Sequence, residues 1–156
     1  MSKNSKLIYF FISFLFFTFF DKHISEFIII NGHKLPENPI FNLVYIKNTG
    51  AAFNMFDGFK IFLILFALFA TVSIIVYLVK HIKNASGFVL FFTSLLCAGI
   101  FTNMFERLTL GYVRDYIHLT FIDFPVFNLS DIFINIGVFG LIFIILKRSY
   151  IKKKNN

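Results

Sequence analysis

Residues 113–138 read VRDYIHLTFIDFPVFNLSDIFINIGV and hold two acids, Asp115 and Asp131, on either side of an aromatic-rich connector. Asp131 leads directly into an apolar run of membrane length. An ionised acid at the edge of a bilayer is costly, so two acids near the start of one helix indicate a functional site. An ordinary explanation is also open. Asp115 can be a loop acid beside Arg114, and Asn128 followed by Asp131 has the pattern of a capping box.

The composition is that of a membrane protein. The 156 residues are 58% hydrophobic and 15% charged, whereas soluble domains are about a quarter charged. Four segments approach the roughly 20 apolar residues that a membrane helix needs, namely residues 7–27, 59–79, 87–105 and 129–146. The first segment lacks small residues at a possible cleavage point, so we expect it to be retained rather than removed as a signal peptide. The lone Cys97 lies inside an apolar run and is expected to be a small buried hydrophobe.

The net charge of +7 is distributed as in a protein that crosses a membrane several times. Lysines precede the first segment, lie between the second and third, and dominate a basic tail at residues 147–156. This placement predicts that both termini are cytoplasmic and that the loops 28–58 and 106–128 face outward. It favours contact with membrane lipid over a nucleic-acid partner.

The first outer loop has strand and turn signals. Asn31-Gly32, between residues 27–30 and 33–35, predicts a β-hairpin with a type I′ turn. Residues 40–47, IFNLVYIK, predict a strand. The predicted fold class is an all-α membrane protein with four transmembrane helices and a small extracytoplasmic β-sheet, in a single domain over residues 1–156.

Polar residues near the first three helices each have two interpretations. Asp21 is an interfacial acid or a brace for a site inside the bundle. Asn48 and Gly50, in the stretch NTGAAF, form a strand-ending turn or present an amide to an extended peptide. A third group lies on one face of the third helix and consists of Asn103, Glu106 and Arg107. These residues form either a structural clamp or a network that supports a site.

The fourth helix has a polar stripe of its own. Asn128, Asp131 and Asn135 fall at i, i+3 and i+7, which places them on one helical face. Taken together with Asp115, this stripe favours a site over a simple helix start.

Four patches, in this order and spacing, resemble the bacterial lipoprotein signal peptidases (signal peptidase II) over nearly the whole chain. They are Asp21, the NTGAAF stretch, residues 103–107, and VRDYI at 113–117 with FNLSD at 127–131. The chain departs from the usual family pattern at several positions: Thr102, Glu106 and Ser130 replace Gly, Asp and Ala, and the first helix lacks a Lys one turn after Asp21.

This resemblance implies a membrane aspartic endopeptidase that needs no cofactor or metal. Asp115 and Asp131 would be its catalytic dyad, while Asn48, Gly50, Asn103, Arg107, Asn128 and Asp21 would line or support the substrate site. Its substrates would be diacylglyceryl-modified prolipoproteins, cut before the lipobox Cys. The resemblance also implies sensitivity to globomycin-type inhibitors, and we expect a monomer in the cytoplasmic (inner) membrane with its active site toward the extracytoplasmic face.

The main alternative is a small polytopic transporter or channel subunit that uses intramembrane acids. Such a protein needs a polar pathway across the whole membrane, and the inner halves of the second and fourth helices are almost devoid of polar residues. A presenilin-like protease would need a Gly-x-Gly-Asp patch, which the sequence lacks.

Overall fold

The computed structural model describes residues 1–32, 36, 39–51 and 55–155. Within these residues, four long helices and two strands form the fold: α1 (Lys3–Asn31), β1 (Phe41–Asn48), α2 (Lys60–His81), α3 (Gly87–Thr109), β2 (Val113–Leu119) and α4 (Leu129–Lys154). A short 3-10 helix, Ile82–Asn84, follows α2. All four long helices are long and apolar enough to cross a membrane. The predicted fold class of four membrane helices with a small sheet is confirmed.

Helix α3 lies at the centre and packs against each of the other three long helices. Small residues bring α3 and α4 together, because a Cβ atom built at Gly99 would lie well inside contact distance of the Ser130 carbonyl oxygen. A Cβ at Gly137 would lie 2.7 Å from the Cβ of Leu96. Such close backbone approach is how membrane helices gain packing energy. The start of α4 is therefore held directly against α3.

Helix α2 occupies a different side of α3. It joins α1 and α3 in an apolar cluster that includes Phe10, Leu78, Ile82, Leu90 and the buried Cys97. The structure describes every residue of α2 and of α4. The contact between these two helices is at most incidental. The side of α4 that faces neither α1 nor α3 is thus left open toward the surrounding membrane.

The segments that follow α1 and α3 meet in one antiparallel sheet. β1 pairs with β2 in a register that sets Ile46 opposite Asp115 and Asn48 opposite Val113, with an irregularity between Leu43 and Ile46. The strand predicted at residues 40–47 is confirmed by β1. Because β2 leads back toward α4, this sheet brings the end of β1 to the start of the last helix.

The hairpin predicted around Asn31-Gly32 is wrong for the described residues. α1 continues through Asn31, and Gly32 has φ −56° and ψ −37°, a right-handed helical conformation. An Asn-Gly pair favours a type I′ turn only where the flanking residues pair as strands, and here β1 pairs instead with β2, which follows α3. Residues 33–35 lie outside the described part of the chain.

The predicted helix ends also need correction. α1 begins at Lys3 because the Ser2 side chain accepts a hydrogen bond from the backbone N–H of Ser5, which caps the helix. α3 runs to Thr109, so the loop predicted from residue 106 begins later. α4 continues to Lys154 through the basic tail, since lysine is a good helix former and stabilises a helix C-terminus.

Candidate active site

Asp131 and Asn128 form the capping box that the sequence predicts. The backbone N–H of Asp131 donates to Asn128 Oδ1 at 2.9 Å, and the backbone N–H of Asn128 donates to Asp131 Oδ2 at 3.2 Å. The reciprocal bonds fix the Asp131 carboxylate at the first turn of α4. The ordinary helix start and the candidate site therefore coincide, because one carboxylate serves both.

The Asn128 side chain connects this helix start to Asp115 on β2. Its Nδ2 donates to Asp115 Oδ1 at 3.0 Å and to Asn103 Oδ1 at 3.1 Å. Asn103, on α3, in turn donates from Nδ2 to Asp131 Oδ1 at 2.9 Å. A continuous chain of hydrogen bonds thus joins the two carboxylates through two buried amides, as the helical spacing of these residues suggested.

The end of β1 completes the hydrogen bonding of Asp115. Asn48 Nδ2 donates to Asp115 Oδ2 at 2.8 Å, and Asn48 Oδ1 accepts from the backbone N–H of Gly50 at 2.9 Å. Arg107 holds the same turn from α3, since its Nη2 donates to the Gly50 carbonyl oxygen at 2.7 Å and its Nη1 to the Asn103 carbonyl oxygen at 3.3 Å. The turn after β1 is therefore fixed against the C-terminal end of α3.

Burial raises the pKa of Asp115 to about 7, and the nearby charge of Asp131 acts in the same direction. The amides of Asn48 and Asn128 and the guanidinium of Arg107 act in the opposite direction, because they stabilise the ionised form. Asp115 can therefore hold or release a proton near neutral pH. Asp115 is only 3% exposed, so a partner for this proton must come from within the site.

A family model described as signal peptidase II matches residues 10–147. The chain belongs to this family of aspartic peptidases. It is 38% identical over 108 residues to the lipoprotein signal peptidase of Streptococcus agalactiae, covering 69% of this chain and 70% of the relative. It is 38% identical over 120 residues to that of Caldicellulosiruptor bescii, covering 74% and 76%.

Two solved structures of bacterial membrane enzymes are similar to this chain. One bacterial membrane enzyme matches with a TM-score of 0.78 and 28% identity, over 90% of this chain and 88% of the enzyme. A second matches with a TM-score of 0.74 and 29% identity, over 88% and 92%. The fold and the order of elements are those of known membrane enzymes.

In this signal peptidase II chain, Glu106 forms an ion pair with Arg114, the residue that precedes Asp115. The Glu106 carboxylate accepts from the backbone N–H of Arg114 at 2.8 Å and from its Nε at 2.7 Å, and lies 2.5 Å from its Nη2. Glu106 is buried. The pair ties the C-terminal end of α3 to the residue that precedes Asp115, so it fixes the strand that carries this acid.

Asp21 is only 1% exposed, which does not fit an interfacial acid. It lies beside Ser130, the residue before Asp131. Its Oδ1 has no hydrogen-bond partner among the residues that the structure describes. Asp21 thus lies next to the start of α4 and is not part of the chain of hydrogen bonds that joins the two carboxylates.

Sequence reasoning missed a buried link made by Tyr116 and Ser25. The Tyr116 hydroxyl accepts from the backbone N–H of Leu129 at 3.1 Å and hydrogen-bonds the Ser25 hydroxyl at 3.0 Å. Burial raises the pKa of Tyr116 to about 12, so this phenol stays neutral. It ties α1, β2 and the start of α4 together beside the capping box. The sequence signal for this link was the spacing of Asp21 and Ser25, because residues four apart lie on one helical face.

Proposed function

We propose that this protein is a membrane aspartic endopeptidase that removes signal peptides from prolipoproteins. It cuts before the lipobox Cys, whose side chain already carries diacylglycerol. The observation that carries the proposal is the hydrogen-bond chain joining Asp115 and Asp131 where the sheet meets the bundle. Relatives named lipoprotein signal peptidase support the substrate class.

The chemistry follows from two carboxylates with different protonation states. Two nearby acids cannot both ionise cheaply, so one keeps a proton. The raised pKa of Asp115 fits a pair that holds one shared proton near neutral pH, and the protonated carboxyl donates this proton to the oxygen of the scissile carbonyl. The ionised carboxylate of the pair is the base that takes a proton from a water molecule as the water oxygen attacks the carbonyl carbon. When the C–N bond breaks, the base returns the proton it took from water to the leaving nitrogen of the lipobox Cys, and the other carboxylate regains its proton from the hydroxyl that becomes part of the new carboxyl group of the signal peptide.

The surrounding amides orient this pair. Each of the four carboxylate oxygens accepts one N–H: those of Asp115 from Asn48 and Asn128, and those of Asp131 from Asn103 and the backbone of Asn128. These donors hold both carboxyl planes in place, so little reorganisation is needed when charge moves between the acids. Gly50 and Arg107 fix the turn beside which the peptide is bound.

The proposal places the protein in the cytoplasmic (inner) membrane with the site toward the extracytoplasmic face. The lysines at residues 152–154, which end α4, support a cytoplasmic C-terminus. The two loops that build the sheet are then both outside, where a translocated lipobox lies. The open side of α4 allows a lipid-anchored substrate to approach laterally. Monomeric action and globomycin sensitivity belong to the same proposal, and a transporter is not favoured.

The decisive experiment uses a purified diacylglyceryl-modified precursor. Asp115→Asn and Asp131→Asn should each abolish cleavage while the protein remains inserted in the membrane. Asp123→Asn, which changes an exposed acid in the loop between them, is the matched control and should cleave normally. Substantial activity in either dyad variant would overturn the assignment.

Recognition of the lipid is tested separately. The unmodified precursor should be a much poorer substrate than the diacylglyceryl form at equal concentration. Equal turnover of the two precursors would show that the peptidase recognises the peptide and not the lipid.

A further inference from the structure

Asn135 is a polar residue on an exposed, otherwise apolar surface of a membrane helix. It lies one turn along α4 from Asp131, and its side chain is exposed. Its Nδ2 donates to the Asp131 carbonyl oxygen at 2.8 Å. Among the residues that the structure describes, no hydrogen bond to its Oδ1 is found. In hydrocarbon, an acceptor without a donor is costly.

The position of Asn135 on α4 shows what it can meet. The buried face of α4 carries Ser130 and Gly137 against α3, and Phe133, whose ring packs 5.4 Å from that of Phe17 on α1. Asn135 is about 140° around the helix from Ser130, at 100° per residue. It therefore shares the uncovered side of α4 with Asp131, on the side that α2 leaves open.

We propose that Asn135 binds the backbone of the signal peptide on the amino-terminal side of the scissile bond. Its Oδ1 accepts a hydrogen bond from a peptide N–H of the substrate. This inference rests on the proposed function, in which the signal peptide lies in the membrane with its cleavage site at the dyad. The signal peptide then extends from the dyad into the bilayer, past Asn135.

The helix geometry sets the register of this contact. Four residues of α4 advance about 6 Å, and an extended peptide advances about 3.3 Å per residue. The N–H bound by Asn135 thus belongs to a residue about two positions before the scissile bond. A peptide that leaves its helical conformation near the cleavage site exposes unpaired N–H groups inside the membrane, and each needs an acceptor.

The test compares Asn135→Leu with Asn135→Gln and with Ile136→Leu, a matched change at the neighbouring exposed position. Loss of one hydrogen bond between neutral groups predicts a KM raised roughly 3- to 10-fold in Asn135→Leu with kcat nearly unchanged. Asn135→Gln, which keeps an acceptor, should restore part of the loss. Ile136→Leu should leave both constants unchanged.

A substrate series supplies a readout that a purely structural role would not change. Diacylglyceryl-modified precursors with an ester in place of the amide N–H, one to three residues before the scissile bond, are cleaved by both enzymes. For one ester position, the wild-type KM should rise to that of Asn135→Leu and the difference between the enzymes should vanish. An Asn135→Leu penalty that is identical on every substrate, or an unchanged KM, would overturn the inference. Cleavage that survives in the Asp115 and Asp131 variants would instead overturn the proposed function, so the two failures are distinguishable.

Discussion

Asn128 both caps α4 and contacts Asp115, and two substitutions separate these roles. Its Oδ1 accepts from the backbone of Asp131, while its Nδ2 donates to Asp115. Threonine is also a good N-cap but has no amide to reach Asp115. Asn128→Thr therefore removes the donor and keeps the cap, whereas Asn128→Ala removes both.

The size and sign of the effect follow from the contacts. The lost donor stabilised the ionised form of Asp115, so its pKa must rise from about 7. A hydrogen bond to a charged group contributes about 1.5–3 kcal/mol, and one pKa unit corresponds to about 1.4 kcal/mol. We expect an increase of about one to two units. Activity that needs one proton on the pair of acids would then persist to higher pH, although its maximum falls because Asp115 is less well oriented.

The assay is kcat/KM for the diacylglyceryl precursor, measured across the neutral and alkaline range. In the wild type, activity should fall as pH rises through about 7, and in Asn128→Thr this decline should move to higher pH. Asn128→Ala should show the same displacement and also unfold more easily, by about 1 kcal/mol for the lost cap. A decline that stays near 7 or moves to lower pH in Asn128→Thr would refute the argument.

Three further changes test the frame around the site. Glu106→Gln should lower kcat about tenfold with little change in KM, because the charge-assisted hydrogen bonds to Arg114 weaken. Adding Arg114→Gln to this variant should lower kcat little further. Additive losses of kcat in the double-mutant cycle would contradict a shared role for the two residues. Gly99→Ala should cost about 1–3 kcal/mol of stability by overpacking in thermal unfolding, whereas Gly87→Ala, with open space around it, should not. Tyr116→Phe should cost about 1–3 kcal/mol by leaving a backbone N–H unpaired, and an unchanged unfolding midpoint would show that this hydroxyl is dispensable.

The helices could be predicted from the sequence because apolar length alone decides which segments cross a membrane. Their ends could not, because charged residues such as those of the basic tail end the hydrophobic pattern without ending the helix. The pairing of β1 with β2 was equally hidden, since it joins segments about 70 residues apart in the chain. The Asn31-Gly32 turn signal was local, and the continuing helix overrode it.

The candidate site was partly readable for a similar reason. Helical spacing placed Asn128 and Asp131 on one face, and a capping box is a local pattern that the structure confirms. The contact between Asn48 and Asp115 depends on the sheet register, which no local pattern encodes. Tyr116 was passed over because an aromatic residue in this Phe-rich chain carries little information, although its hydroxyl ties three elements together.

The distribution of the site along the chain has a consequence for biosynthesis. Asn48 follows the first helix, Asn103 lies in the third, and Asp131 is in the first turn of the fourth. A nascent chain with three helices in the membrane has an incomplete active site, because Asp131 and the Asn128 amide that joins it to Asp115 are inserted last. Proteolytic capacity would thus arise only when the final helix integrates, so unfinished chains leaving the translocation machinery would be inert toward the precursors around them.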